Sequence, residues 1–160
     1  MMVPVSPDEI FEMAEVIERN GARFYRRAAE AAGDEPRRLL LQLAEMEDRH
    51  ERTFHEMRRE LGSADAPETL DPDGEAALYL RTVADGKVFD FEADPASKLR
   101  GDEALAEILQ TALGLEKDSI VFYLGLKPLV STPGGRDKVE AIIQEEMSHV
   151  RLLSEELASV

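Results

Sequence analysis

Two short stretches pair a carboxylate with an imidazole. EMEDRH (45–50) puts Glu47 three residues before His50, and EEMSH (145–149) puts Glu146 three residues before His149. Three residues is just under one helical turn, so on a helix each pair shares a face. Both pairs sit among apolar neighbours: Leu43 and Met46 in one, Val150, Leu152 and Leu153 in the other. A carboxylate and an imidazole so placed offer an oxygen and a nitrogen donor to a metal ion. Glu-x-x-His alone is a weak signal in so acidic a chain, and the weight comes from repetition. IERNGARFY places Glu18 seven residues before Tyr25, and LEKDSIVFY places Glu116 seven before Tyr123, each Tyr following a Phe. Glu18 to Glu47 is 29 residues and Glu116 to Glu146 is 30. Two halves thus carry one pattern: Glu and Phe-Tyr on a first helix, Glu-x-x-His on a second.

Positioning these groups requires four helices. Ser6-Pro7-Asp8-Glu9 is a capping box with Pro at the first helical position, and Val5 and Ile10 are placed as a hydrophobic staple. An apolar stripe of helical period follows through Ile10, Ala14, Ile17, Gly21, Phe24, Tyr25 and Ala28. Gly33-Asp34 should end this helix, Asp34 capping the next, which carries Leu39, Leu40, Leu43, Met46, Phe54, Met57 and Leu61 to a stop at Gly62. Residues 62–102 are a long crossover rich in Asp, Ala, Gly and Pro. Within it EAALYLRTVA (75–84) reads as a short extra helix ended by Gly86, and KVFDF (87–91) is too short to assign. Asp102 should cap a third long helix with the stripe Leu105, Ile108, Leu109, Ala112, Leu115, Ile120, Phe122, Tyr123 and Leu126, which Pro128 should end or kink. A turn at STPGG (131–135) then leads into a fourth, with Val139, Ile142, Ile143, Val150, Leu152 and Leu153. The expectation is one all-α domain over 1–160: a four-helix bundle of two antiparallel hairpins, 7–61 and 103–157, with a crossover between them.

Helix arithmetic brings the groups to one depth. Glu18 lies 15 residues before Gly33 and Glu47 lies 11 after Pro36, or about 22 and 16 Å from the same loop end. Helices three and four repeat this around their own turn. Four carboxylates converging in an apolar core repel one another, and an unpaired buried carboxylate costs several kcal/mol. Two divalent cations resolve the conflict, four positive charges meeting four negative ones, with one imidazole for each metal. Mixed carboxylate and imidazole ligation suits iron or manganese, and zinc is compatible.

The rest of the composition narrows the classes. The 160 residues fit one domain with a core needing no staples. There is no Cys, which excludes disulfides, zinc fingers and a Cys-ligated iron centre. A formal net charge of −15 repels phosphate backbones and anionic bilayers, so neither nucleic acid nor membrane is an expected partner. No apolar run is long enough to span a bilayer, and MMVPVSPDEI lacks the regions of a secretion signal, so a cytoplasmic protein is expected.

With these residues in view, the sequence resembles the rubrerythrin-like members of the ferritin-like di-iron carboxylate superfamily, over about residues 8–61 and 103–156. Such bundles present a Glu from each of two helices and Glu-x-x-His from each of the other two. The resemblance implies a metal set of Glu18, Glu47, His50, Glu116, Glu146 and His149 holding two iron ions, with Glu47 and Glu146 bridging. It implies Tyr25 and Tyr123 as hydrogen-bond donors that orient the carboxylates. Without Cys the chain lacks the Cys-ligated iron domain of full-length rubrerythrins. Ser119 stands where those proteins carry an extra Glu three residues after the third-helix Glu, so the resemblance is to the plainer six-ligand version. The activity implied is reduction of hydrogen peroxide or dioxygen with electrons from a separate donor protein, in a homodimer. Two other classes are compatible: iron oxidation for storage or delivery, and a non-catalytic metal-binding structural bundle. Nearby residues read more simply. His55 is off the ligand face and should be solvated or at a rim. Ser119 should back-bond to its own helix. Glu45 and Glu145 should be surface groups, Glu145 within reach of the ligand surroundings. Met13, Met46, Met57 and Met147 should pack in the core or its rim, and Lys117-Asp118 should be a solvated pair.

Overall fold

The computed structural model describes residues 6–61, 73–84 and 93–160. Five α-helices account for most of them: α1 (Pro7–Glu30), α2 (Asp34–Leu61), α3 (Glu75–Ala84), α4 (Leu105–Leu126) and α5 (Pro133–Ala158). Short 3₁₀ turns occupy Pro95–Lys98 and Lys127–Leu129.

The helix ends follow from local chemistry, with three departures from the sequence reading. At the start of α1 the capping box forms in full: Glu9 N donates to Ser6 Oγ at 3.2 Å, and Ser6 N donates to Glu9 Oε2 at 2.9 Å. The staple residue Val5, the stop at Gly62, Gly86 and the KVFDF stretch lie outside the described residues. Asp34 does not cap α2. It is the first helical residue, and the Gly33 carbonyl accepts from Arg37 N at 2.8 Å. The α1 C-terminus is instead closed by Arg37, whose guanidinium donates to the carbonyls of Ala29 and Ala32, both at 3.0 Å. A cation there also suits the negative end of the helix dipole. Asp102 does not cap α4, whose N-cap is Ala104 with no side-chain bond; the Asp102 carboxylate is taken by Arg100 Nε at 3.0 Å. Finally, Pro133 and both glycines of STPGG already belong to α5, because Thr132 Oγ1 accepts from Gly135 N at 3.1 Å and starts the helix earlier.

Cross-helix pairs fix the hairpin register. Asp8 meets Arg58, Glu15 meets His55, Arg19 meets Glu51 and Arg26 meets Asp48. Numbers rise on α1 as they fall on α2, so the two run antiparallel. The exposed pairs among them align the helices more than they stabilise them.

Two apolar clusters fill the bundle. One gathers Ile10, Phe11, Phe54, Leu80, Phe122, Leu126, Ile142 and Ile143; the other gathers Phe24, Ala28, Leu40, Leu43, Ile108, Leu109 and Leu153. The first holds the start of α1, the end of α2, the end of α4 and the start of α5, and the second holds their opposite ends. So α2 finishes at the end of the bundle where α4 does not begin, and the 28-residue α2 spans about 42 Å. The long crossover is the geometric consequence. α3 rests on α4, where Gly125 leaves room for the Tyr79 ring and Tyr79 Oη donates to the Val121 carbonyl at 2.8 Å. Among the stripe residues Leu152 departs from expectation: it is 38% exposed, on the outer side of α5. No described helix is long and apolar enough to cross a membrane.

Candidate metal centre

Between the two apolar clusters lies a polar layer. Glu18 comes from α1, Glu47 and His50 from α2, Glu116 from α4, and Glu146 and His149 from α5. All six are buried, none more than 3% exposed. Both imidazoles turn Nδ1 inward. His50 Nδ1 lies 2.9 Å from Glu146 Oε1 and 3.4 Å from Glu18 Oε2. His149 Nδ1 lies 3.2 Å from Glu146 Oε2, 3.4 Å from Glu116 Oε1 and 3.5 Å from Glu47 Oε1. The rings are close to parallel, with centroids 6.1 Å apart.

Two four-residue groups result, each with its donor atoms within 4.8 Å of one another: Glu18, Glu47, His50 and Glu146, and Glu47, Glu116, Glu146 and His149. Glu47 and Glu146 belong to both groups, the placement that bridging carboxylates require. Each group has one private Glu and one His, as the repeat in the sequence implies.

The donor set fits cations on a further count. Glu18 Oε2, Glu47 Oε1 and Glu116 Oε2 are buried without a hydrogen-bond partner. A buried unsatisfied polar atom costs about 1–3 kcal/mol, and more when charged. Protons carry the compensation when no cation is bound. Burial, then repulsion from Glu18, Glu146 and Glu116, raises the Glu47 carboxyl well above the usual range. Burial and Glu146 lift Glu116 to about 8, against the opposing pull of His149. Burial acts to lower both imidazoles, but the facing carboxylates prevail: Glu146 and Glu18 lift His50 to about 11, and Glu116 and Glu146 lift His149 to about 9. The layer holds protons tightly because it lacks positive charge, which divalent cations would supply in their place.

The tyrosines close the layer from its two ends, and each serves the opposite hairpin. Tyr25 Oη donates to Glu116 Oε1 at 2.5 Å, and Tyr123 Oη donates to Glu18 Oε1. Burial and the surrounding carboxylates push both phenols well above their ordinary value, so they stay protonated and donate. The crossing has a simple cause. Seven residues along a helix is about 10 Å, too far for a Tyr to reach the Glu of its own helix.

Three contacts add to the sequence reading, which places Glu145 within reach of these residues and assigns no such contact to Met46 or Gly21. The outer nitrogen of His50 meets Glu145 Oε2 at 2.5 Å, although the Glu145 side chain is 49% exposed. The outer nitrogen of His149 meets Met46 Sδ at 3.2 Å. Met46 and Glu145 immediately precede Glu47 and Glu146, so each shared carboxylate brings a neighbour that touches the other half's histidine. The repeat itself held this signal. Gly21, expected only as part of the apolar stripe, gives way to the Glu47 carboxylate: a Cβ there would stand 2.8 Å from Glu47 Oε2.

Other expectations have mixed outcomes. His55 is solvent-facing and pairs with Glu15 at 2.7 Å, but Glu15 itself is buried, held also by Arg58 at 2.9 Å. Ser119 back-bonds to the Leu115 carbonyl at 3.0 Å. Glu45 is exposed, Met57 buried, Met13 part-buried against the core and Met147 half-exposed. Asp118 departs from the solvated pair: it is part-buried beside Ser119, and burial raises its carboxyl while Lys117 opposes.

Comparison with known proteins agrees with this construction. The sequence model of the rubrerythrin family matches residues 9–157, so the chain belongs to that family. Its fold is the ferritin-like bundle. A crystal structure from Thermotoga maritima, of a protein provisionally described as a ferritin-like diiron-carboxylate protein, superposes with a TM-score of 0.69 at 26% identity, covering 97% of this chain and 96% of that one. No curated protein matches the sequence.

Proposed function

We propose that this protein is a di-iron oxidoreductase that reduces hydrogen peroxide or dioxygen with electrons from a separate donor protein. The observation that carries this reading is the pair of four-residue groups sharing Glu47 and Glu146, in a chain of the rubrerythrin family. The description of the Thermotoga protein as diiron-carboxylate supports iron as the metal. Glu18 and His50 would hold one ion, Glu116 and His149 the other, and Glu47 and Glu146 would bridge; manganese or zinc suits the same donors. Two iron ions bound there would supply the paired electrons that cleavage of an O–O bond consumes.

The chain's own residues prepare that chemistry. Tyr25 and Tyr123 donate to the private carboxylates and fix which oxygen each turns inward. His50 Nε2 rests on Glu145, which holds the ring with Nδ1 toward the layer. Glu145 is half-exposed, so it also links the buried layer to solvent, the source of the protons that reduced oxygen takes up. The apolar clusters close the layer toward both ends of the bundle. Exposed apolar surface at Tyr79, Val121 and Leu124 supports a homodimer.

The test is a chain loaded anaerobically with iron and then pulsed with peroxide or with dioxygen, followed in the near ultraviolet. Rapid oxidation of a stoichiometric iron complement, reversed by a reductant, is expected. Continued uptake of many irons per chain would indicate storage instead. Iron that never oxidises would leave a structural bundle.

A further inference from the structure

The polar layer accounts for six buried side chains, but a space beside it remains. A partly enclosed cavity of about 180 Å³ lies between α1, α4 and the 3₁₀ turn at Pro95–Lys98. Its inner wall includes Glu47, Glu116 and the Tyr25 ring, three of the buried groups in and beside the layer. Its sides are apolar, from Val16, Ile17, Leu115, Ala93 and Pro95. Asn20, Asp118 and the exposed Lys98 form its outer rim.

The cavity exists because two equivalent positions are small. Gly21 lies three residues after Glu18 and Ser119 lies three after Glu116, and both line it. Larger side chains at either would stand between the outside and the carboxylates. Ser119 spends its hydroxyl on the Leu115 carbonyl and leaves the space open.

The volume bears on what enters. On the same measure a dry cavity of ~150 Å³ accepts a benzene-sized guest, far more than a two-oxygen molecule. Hydrogen peroxide leaves most of the apolar wall uncovered; a molecule with a peroxide head and a compact hydrocarbon tail covers it.

We propose that this cavity is a substrate pocket for organic hydroperoxides with a short alkyl or aryl tail, the head toward Glu47 and Glu116 and the tail against Val16, Ile17 and Leu115. The proposal rests on the peroxide-reducing function above and narrows its substrate. In the reaction the O–O bond breaks, two electrons come from the external donor protein and two protons from solvent. The alkyl oxygen leaves as an alcohol and the other oxygen as water.

Two readouts test it on the 160-residue chain. The first is kcat/KM of the iron-loaded protein for tert-butyl hydroperoxide and for hydrogen peroxide, in the wild type and in Val16→Phe, which narrows the pocket from a part-buried site. The organic substrate should be at least as good as hydrogen peroxide, and Val16→Phe should lower the organic-to-inorganic ratio by about tenfold or more, the scale of a few lost apolar contacts. The second is binding of tert-butanol, the product, to zinc-loaded wild type, which cannot turn over: methyl NMR signals of Val16, Ile17 and Leu115 should shift and saturate. Reduction of hydrogen peroxide with a far poorer organic substrate and no saturable shifts would overturn the pocket and leave the function standing. Saturable shifts with neither peroxide reduced would overturn the function, and the substrate role with it.

Discussion

The two hairpins perform the same task with different surroundings. Each supplies a private Glu, a shared Glu, a His and a Tyr, and each Tyr donates to the other hairpin's private Glu. The differences lie one step outward. His50 leans on a half-exposed carboxylate, Glu145, whereas His149 leans on the thioether of Met46. Gly21 yields to the Glu47 carboxylate, whereas its counterpart Ser119 has a side chain bonded to its own helix. The repeat therefore sets the donor geometry, and the outer residues make the two halves unequal.

The largest effect should come from breaking what the halves share. Glu47→Ala with Glu146→Ala should abolish metal binding, whereas Glu18→Ala or Glu116→Ala alone should leave about one metal per chain, because each private Glu serves one group. Metal content by mass spectrometry decides between these outcomes.

Next comes pH, where both halves should act in one direction but at different points. Glu116, His149 and His50 hold protons more tightly folded than unfolded, with values near 8, 9 and 11 against 4.5, 6.5 and 6.5. Their stabilising contribution is complete below the unfolded values and is lost as pH rises through the folded ones. The metal-free protein should therefore unfold at lower temperature at pH 9 than at pH 6, and His149 should release its proton before His50 in an NMR titration. Metal binding should strengthen over the same range, since metal and protons compete. Thermal melts with and without metal at both pH values check the sign.

The glycine difference is sharpened by a matched pair. Gly21→Ala places a Cβ against Glu47 Oε2 and should weaken metal binding by about 10–100-fold, as disturbing a ligand's support does; Ser119→Ala should change it little. Competition with a metal-sensitive dye measures both. The tyrosines should behave alike despite their different hairpins. Tyr25→Phe and Tyr123→Phe each remove one bond to a buried carboxylate and should each lower stability by about 1–3 kcal/mol in denaturant titration. The smallest expected difference separates the histidine supports. Glu145→Gln should weaken the His50 group by about tenfold, and Met46→Leu should leave the His149 group within a factor of about two. Isothermal titration of each variant resolves the two binding steps.

The six residues of the candidate centre were legible because helical spacing, apolar surroundings and repetition all point to them. The α1 cap was legible because Ser6 and Glu9 act within one turn. Asp34 and Asp102 misled for a shared reason: an Asp near a helix start is a good cap only if the chain begins the helix just after it, and Gly33 and Ala104 took that position. The tyrosine crossing was implicit in the seven-residue spacing, yet naming the acceptor requires the offset between hairpins. Glu145 was harder to place, since an exposed Glu carries no mark of reaching inward. The buried Glu15 went unread because its partners, His55 and Arg58, lie 40 or more residues away. The cavity beside Ser119 was invisible because it depends on the crossover returning to α1 and α4.

The most direct measurement is an anomalous difference map at the iron edge from crystals of the anaerobically iron-loaded chain. Two peaks are expected in the central layer, one beside Nδ1 of His50 and one beside Nδ1 of His149, with Glu47 and Glu146 reaching both. A single peak, or iron found only at surface carboxylates, would contradict the reading of the repeat as a paired metal site.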